Sequence, residues 1–152
     1  ASDVYKRQAQ EAARSLTAQA AAKAVHISVT GTAGTVFGVR RLLYEIARNL
    51  CENAVKYNVP GGSVTVEVAE TDRDVTLLVR DTGIGIPEGD QSRVFERFYR
   101  VDKSHSRAIG GTGLGLSIVK HAVAYHHGTL RLESQPGKGT VITVTLPKKP
   151  TE

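Results

Sequence analysis

Four side chains able to engage a cation or a phosphate recur along one stretch: Glu45, Asn49, Asn53 and Lys56. Their spacing puts them on one stripe of a helix, beside a core-facing row of Leu43, Ile46, Ala47, Leu50 and Ala54. Asparagine is a mediocre helix former and is costly to bury without partners. Two amides one turn apart, next to a core face, admit two readings. They are incidental members of a solvated face, or they are a row of oxygens and an ammonium aimed at a metal and phosphates.

Two glycine clusters bear on that choice. Asp81-Thr-Gly83-Ile-Gly85 directly follows an expected strand. An Asp at a strand end can accept a hydrogen bond from an exocyclic amine, and neighbouring glycines let a flat ring approach the backbone. A plain Asp-Thr-Gly turn would use the same residues. Gly111-Thr-Gly113-Leu-Gly115 precedes an expected helix, where free N–H groups suit a polyphosphate. It lacks the preceding strand of a dinucleotide fingerprint, and no Gly-Lys-Ser/Thr occurs to make a Walker loop.

The elements that must position these groups read as follows. Residues 1–8 read as a tail that need not be native, and Ala9 to about Lys23 as an alanine-rich helical linker. Val25–Val29 alternates as a half-buried strand, with His26 on its polar phase, and Thr30–Thr35 is a turn-rich loop. The long helix runs from about Val36 to Tyr57 and is ended by Asn58-Val-Pro-Gly-Gly62. Ser63–Val68 and Val75–Val79 form a hairpin, and Pro87 opens a short turn or helix through Arg100. Val101–Thr112 is polar and is expected to be functional or mobile. A helix from Gly113 to about His126 follows, with Gly128 as its cap and His126-His127 as its exposed end. Strands Thr129–Ser134 and Thr140–Leu146 close the chain. This order predicts a two-layer α/β sandwich, a mixed and mostly antiparallel sheet with helices on one face.

Composition narrows the function classes. The 152 residues suit one ordinary domain, and a net charge of +5 fits an anionic ligand as well as a merely soluble surface. Nucleic acid is not favoured, because aromatics make up only 5 % and no basic run is interleaved with them. The lone Cys51 cannot form an internal disulfide and reads as a small buried hydrophobe. No apolar run reaches the roughly 18–20 residues of a membrane span. With no methionine at all, the chain is expected to be a piece of a longer protein.

Taken in order, the Asn49/Asn53 helix, Asp81-x-Gly-x-Gly, Phe95-x-x-Phe98 and Gly111-x-Gly-x-Gly are more specific than any one of them. The set resembles the N, G1, F and G2 boxes of the catalytic ATP-binding domain of sensor histidine kinases, within the gyrase/Hsp90/histidine kinase/MutL superfamily. The resemblance covers about Val25 to Leu146. RVFERFYRVDKS and GTGLGLSIVKHAV look closest to the phosphate-sensing type. It implies the Bergerat-type ATP-binding fold, with residues 24–148 as the catalytic domain, 1–23 leading from an upstream dimerisation domain, and 149–152 as a tail.

The resemblance also implies roles. Asn53 would coordinate Mg²⁺ and Asn49 would support the metal or its waters. Lys56 would reach a phosphate, with Arg97 and Arg100 as further phosphate candidates. Tyr57 would cover the adenine face and Asp81 would accept its amino group. Gly83, Gly85 and Ile86 would shape the base pocket. Gly111, Thr112, Gly113, Leu114, Gly115 and Leu116 would wrap the triphosphate beneath a lid of residues 101–112. Phe95 and Phe98 would anchor that lid in the core, and Gly139-Thr140 would serve structure.

The implied activity is transfer of the ATP γ-phosphate to a histidine on a separate dimerisation domain, in a parent that is a homodimer anchored in the bacterial inner membrane and that signals to a response regulator. None of His26, His105, His121, His126 or His127 has the acceptor-box context of a histidine followed by an acidic residue and Arg/Lys-Thr-Pro. ATP-hydrolysing relatives place a Glu one turn before the metal Asn, where this chain has Asn49. Protein-serine kinases of the anti-sigma type usually lack the FERFYRVDKS element. A nucleotide-sensing module without catalysis is the third alternative.

Overall fold

The computed structural model describes residues 2–97, 99 and 115–149. Its main sheet has five strands in the order β2 (His26–Gly31), β4 (Ser63–Glu70), β5 (Asp74–Asp81), β7 (Gly139–Pro147) and β6 (Thr129–Gln135). β2 runs parallel to β4 and every other pairing is antiparallel. The reason is legible in the alternation. Val64, Val66 and Val68 of β4, Val75, Leu77 and Val79 of β5, and Ile142, Val144 and Leu146 of β7 are all buried. A period of two puts each set on one side of its strand. The register then sets Val66 opposite Val79 and Leu77 opposite Val144, so the sets merge into one apolar face.

Helix α3 (Arg40–Lys56) covers that face with Leu43, Ile46, Ala47, Leu50, Cys51, Ala54 and Val55. Helix α4 (Gly115–Tyr125) lies beside it and adds Val119, Ala122 and Val123. The predicted two-layer sandwich is therefore the observed architecture, and the polar stripe of α3 lies half-buried beside its core face.

The N-terminal segment departs from expectation. Residues 1–23 were expected to be a tail and a linker, yet those described here complete the core. β1 (Ser2–Val4) pairs antiparallel with β3 (Thr35–Phe37), which takes the last residue of the expected Thr30–Thr35 loop and the first two of the expected helix. α1 (Tyr5–Ser15) buries Tyr5, Ala9 and Ala12 completely, and Leu16 after it likewise. The Tyr5 hydroxyl donates to the Leu43 carbonyl at 2.8 Å. The alanines gave a weak hydrophobic signal because each buries little area, but their small size lets α1 approach α3 closely. After α2 (Thr17–Ala22), Ala24 adopts φ 56° and Val25 N donates back to the Ala20 carbonyl, a Schellman-type end. The Lys23 ammonium then donates to the Lys56 and Val55 carbonyls, capping the C-terminus of α3 where the helix dipole favours a cation.

Two helix ends also differ. α3 begins at Arg40, and the chain offers no side-chain cap at Val39. The Val39 N–H instead donates to Nε2 of His126, whose Nδ1 lies 2.7 Å from the Ala122 carbonyl. His126 is 9 % exposed, so it is a buried clamp between α3 and α4 rather than an exposed helix end. The left-handed residue ending α4 is His127 (φ 59°), with Gly128 N returning to the Val123 carbonyl.

Candidate functional site

The polar side of α3 carries two rows. Arg48, Glu52 and Lys56 form one: Glu52 accepts from Arg48 at 2.7 Å and lies 3.4 Å from the Lys56 ammonium. Partial burial pushes the Glu52 carboxyl up, but its two cationic neighbours outweigh this and hold it below the usual range. Lys56, expected at a phosphate, thus rests on Glu52 and is half-buried.

Asn49 and Asn53 form the other row. Asn49 Nδ2 donates back to the Glu45 carbonyl at 2.8 Å, which fixes the amide and leaves its oxygen pointing away. That oxygen lies 3.2 Å from where a Cβ on Gly115 would sit, and the Asn53 oxygen lies 4.0 Å from the same point. Two amide oxygens of α3 therefore converge on the first turn of α4. They are neutral, hard donors. Among the described residues no group of three His, Cys, Asp or Glu side chains could hold a metal ion.

The Asp81 end is built across the sheet. Asp81 is the last residue of β5 and is paired with Thr140 of β7, which is paired in turn with Ser134 of β6. Asp81 Oδ1 accepts from Gly83 N at 2.9 Å and from Thr140 N at 3.2 Å. Its Oδ2 has no donor among the described residues. Burial pushes the Asp81 carboxyl above its ordinary value, and the two N–H donors only partly offset it. The glycine loop after it is tied down along its length. Ile84 N donates to the Tyr57 carbonyl, Gly137 N to the Ile84 carbonyl, and Ile86 N to Ser134 Oγ. Gly85 sits at φ 74° with its α-carbon facing the Gln135 carbonyl, so a Cβ there would collide with backbone.

Of the predicted residues, the structure groups Asn49, Asn53 and Gly115 at one place, and Asp81, Gly83, Gly85 and Ile86 at another joined to Tyr57 through the Tyr57 carbonyl. Leu116 packs against the hydrophobic core, as does Phe95. Arg97 is exposed in the turns after the 3₁₀ segment Glu88–Asp90. Phe98, Arg100, Gly111, Thr112, Gly113, Leu114 and the remainder of the expected lid lie outside the described residues.

Several contributors went unnoticed in the sequence. Asn58, 4 % exposed, accepts from Val59 N and Thr82 Oγ1 and donates to the Ser63 carbonyl, joining the end of α3 to the residue after Asp81. Gln91 and Ser134 hold Ile86. Their only sequence signal was a polar type near a turn, which does not separate them from solvated neighbours.

The chain is similar to known proteins over most of its length. Residues 38–150 match the family described as histidine kinase-, DNA gyrase B-, and HSP90-like ATPase. The chain is 48 % identical over 127 residues to the sensor-like histidine kinase SenX3 of Mycolicibacterium smegmatis, covering 82 % of this chain and 33 % of that protein. It is 49 % identical over 107 residues to the sensor histidine kinase WalK of Bacillus subtilis, covering 69 % and 18 %. Among solved structures, the mycobacterial sensor histidine kinase MprB superposes with a TM-score of 0.84 at 31 % identity, over 99 % of both chains. Full-length ShkA in complex with AMPPNP gives 0.84 at 25 % identity, over 99 % of this chain and 31 % of that one.

The chain belongs to the histidine kinase-, DNA gyrase B-, and HSP90-like ATPase family, whose fold binds ATP. Within it, the relatives place the chain with the catalytic domains of sensor histidine kinases. It spans a third or less of the length of these two curated relatives.

Proposed function

We propose that this domain binds Mg·ATP between α3, the first turn of α4 and the Asp81 loop, and donates the γ-phosphate to a histidine on a separate helical dimerisation domain. The observation that carries the reading is the convergence of the Asn49 and Asn53 amide oxygens on Gly115, with Asp81 Oδ2 at the other end of the site left without a donor among the described residues. The donor set fits Mg²⁺, a hard ion that takes oxygen ligands and keeps waters and substrate phosphates in its shell. Asn53 would hold the ion and Asn49 would support it. When bound, Mg²⁺ neutralises charge on the phosphates.

The chain's own residues bind and orient. Asp81 accepts the adenine amino group through Oδ2. Tyr57 lies over the base, and Gly83, Gly85 and Ile86 let it approach. Gly115 and the glycines before it offer backbone N–H groups to the phosphates. Lys56 leaves Glu52 for a phosphate, and Arg97 or Arg100 adds a second cation. An incoming imidazole nitrogen forms the N–P bond as the bond from the γ-phosphorus to the bridging oxygen breaks, and ADP leaves.

Asn49 supports transfer over hydrolysis, because the position one turn before Asn53 carries an amide that cannot take a proton from water. In this reading the domain is the cytoplasmic part of a homodimeric, inner-membrane kinase with a response regulator downstream. Among the described residues no helix is long and apolar enough to cross a membrane.

The test is calorimetry followed by transfer. ATP should bind with Mg²⁺ and GTP should bind far more weakly. Asn53→Ala should remove the Mg²⁺ dependence of ATP binding while the fold melts as the parent does. Radiolabelled ATP should label a histidine-bearing dimerisation domain in trans. Equal ATP and GTP affinity would remove Asp81 from the base site. Undiminished Mg²⁺ dependence in Asn53→Ala would remove Asn53 from the metal site.

A further inference from the structure

The proposed base pocket is held from behind by a side chain outside the motifs read from the sequence. Ser134, half-buried on β6, lies in one row with Thr140 and Asp81 across three strands. Its Oγ accepts from Ile86 N at 2.8 Å, donates toward the Gly139 carbonyl at 3.1 Å, and lies 2.8 Å from Thr140 Oγ1. Gln91 closes the same corner: its Nε2 donates to the Ile86 carbonyl at 2.9 Å and to the Ser134 carbonyl at 3.1 Å. Both backbone groups of Ile86 are thus tied to the corner formed by Gln91 and Ser134.

We propose that Ser134 is a positioning residue for base recognition: it locks the Ile86 end of the glycine loop and the Thr140 strand together, and so fixes how Asp81 presents its free oxygen. This deepens the ATP reading above and rests on it.

The physical basis is the hydroxyl's limited valence. Ser134 has one proton to give and takes one N–H from Ile86. Whether it donates to Gly139 or to Thr140, both the Ile86 amide and the Thr140 hydroxyl are pinned to the same atom. Thr140 N in turn shares Asp81 Oδ1 with Gly83 N. Removing the hydroxyl leaves Ile86 N–H without its partner and frees the loop at the point where it turns beneath the base. Among the described residues, none of these hydrogen bonds involves Asn49, Asn53 or Gly115, where the triphosphate end is proposed.

The inference separates from a general packing role through the ligand. Ser134→Ala is titrated with ATP and with purine riboside triphosphate, which lacks the 6-amino group. If Ser134 acts through the Asp81–amine hydrogen bond, ATP affinity falls on the order of tenfold, the effect of about one net hydrogen bond. Affinity for the amine-free nucleotide then stays near the parent's. Gln91→Met, which keeps the length and removes the donor, should show the same pattern more weakly and serves if Ser134→Ala fails to fold. An equal loss with both nucleotides, in folded protein, would overturn the positioning role. If the parent itself binds the two nucleotides equally, it is the Asp81 reading that fails, so the two failures are distinguishable.

Discussion

Replacing Asp81 by Asn tests base recognition at one atom. In the parent, both backbone donors converge on Oδ1, from Gly83 N at 2.9 Å and Thr140 N at 3.2 Å. An asparagine has one acceptor oxygen and one donor nitrogen. The oxygen must keep the Oδ1 position, because the flipped amide would set its NH₂ against two N–H groups. The NH₂ then occupies the place of Oδ2 and meets the adenine amino group donor to donor. The loss is that of a hydrogen bond to a charged group, roughly 1.5–3 kcal/mol, or about a 10- to 150-fold weaker Kd. A purine with a carbonyl at that position gains a donor, so the preference for ATP over inosine triphosphate should collapse or invert. Competition calorimetry with the two nucleotides reads this directly. The fold should not suffer: burial already penalises the Asp81 charge, and the amide removes that penalty while keeping the acceptor. A folded Asp81→Asn protein with parental ATP affinity, or with an unchanged ATP-to-inosine-triphosphate ratio, would refute the reasoning.

Three further outcomes follow from the same fold. The raised Asp81 carboxyl should give ATP binding an acid limit above the usual Asp range: affinity falls as pH drops through the raised value, while the fold gains through this group over the same interval, and both effects vanish in Asp81→Asn when Kd and Tm are followed against pH. Tyr5→Phe should lower stability by about 1 kcal/mol through the lost bond to the Leu43 carbonyl, and Tyr5→Ala by roughly 3–5 kcal/mol; urea unfolding by circular dichroism measures both, and a linker residue would show no change. Gly61→Ala should cost about 1–2 kcal/mol from its φ of 81° alone, since nothing lies within 4 Å, whereas Gly85→Ala also collides with the Gln135 carbonyl and should impair nucleotide binding as well; thermal melts and ATP titration of the pair separate strain from steric displacement.

The sheet was legible because its signal is local. The valines of β4 alternate from Val64 through Val66 to Val68, and any strand that buries one face must show that period. α3 was legible for the same reason, at a period of 3.6. The N-terminal segment was not, because the energy of Ala9 and Ala12 comes from how close α1 can approach α3, and closeness is a property of the pair. His126 was misread on similar grounds. Two adjacent histidines at a helix end look solvated, and only the uncapped start of α3 supplies the N–H that draws one of them inside.

At the site, the sequence by itself determined the inventory: the two amides a turn apart, the Asp before its glycines, and the order in which the boxes occur. Types and spacing along one element are fixed by the chain and by helix and strand geometry. Only the tertiary structure decided what those groups face. It turned the Asn49 and Asn53 oxygens toward Gly115, parked Lys56 on Glu52, and gathered both donors to the Asp81 carboxylate among the described residues onto one oxygen. It also brought in Asn58, Gln91 and Ser134. Each of these works through hydrogen bonds to segments distant in sequence, and such partners exist only once β4, β5, β6 and β7 are in register.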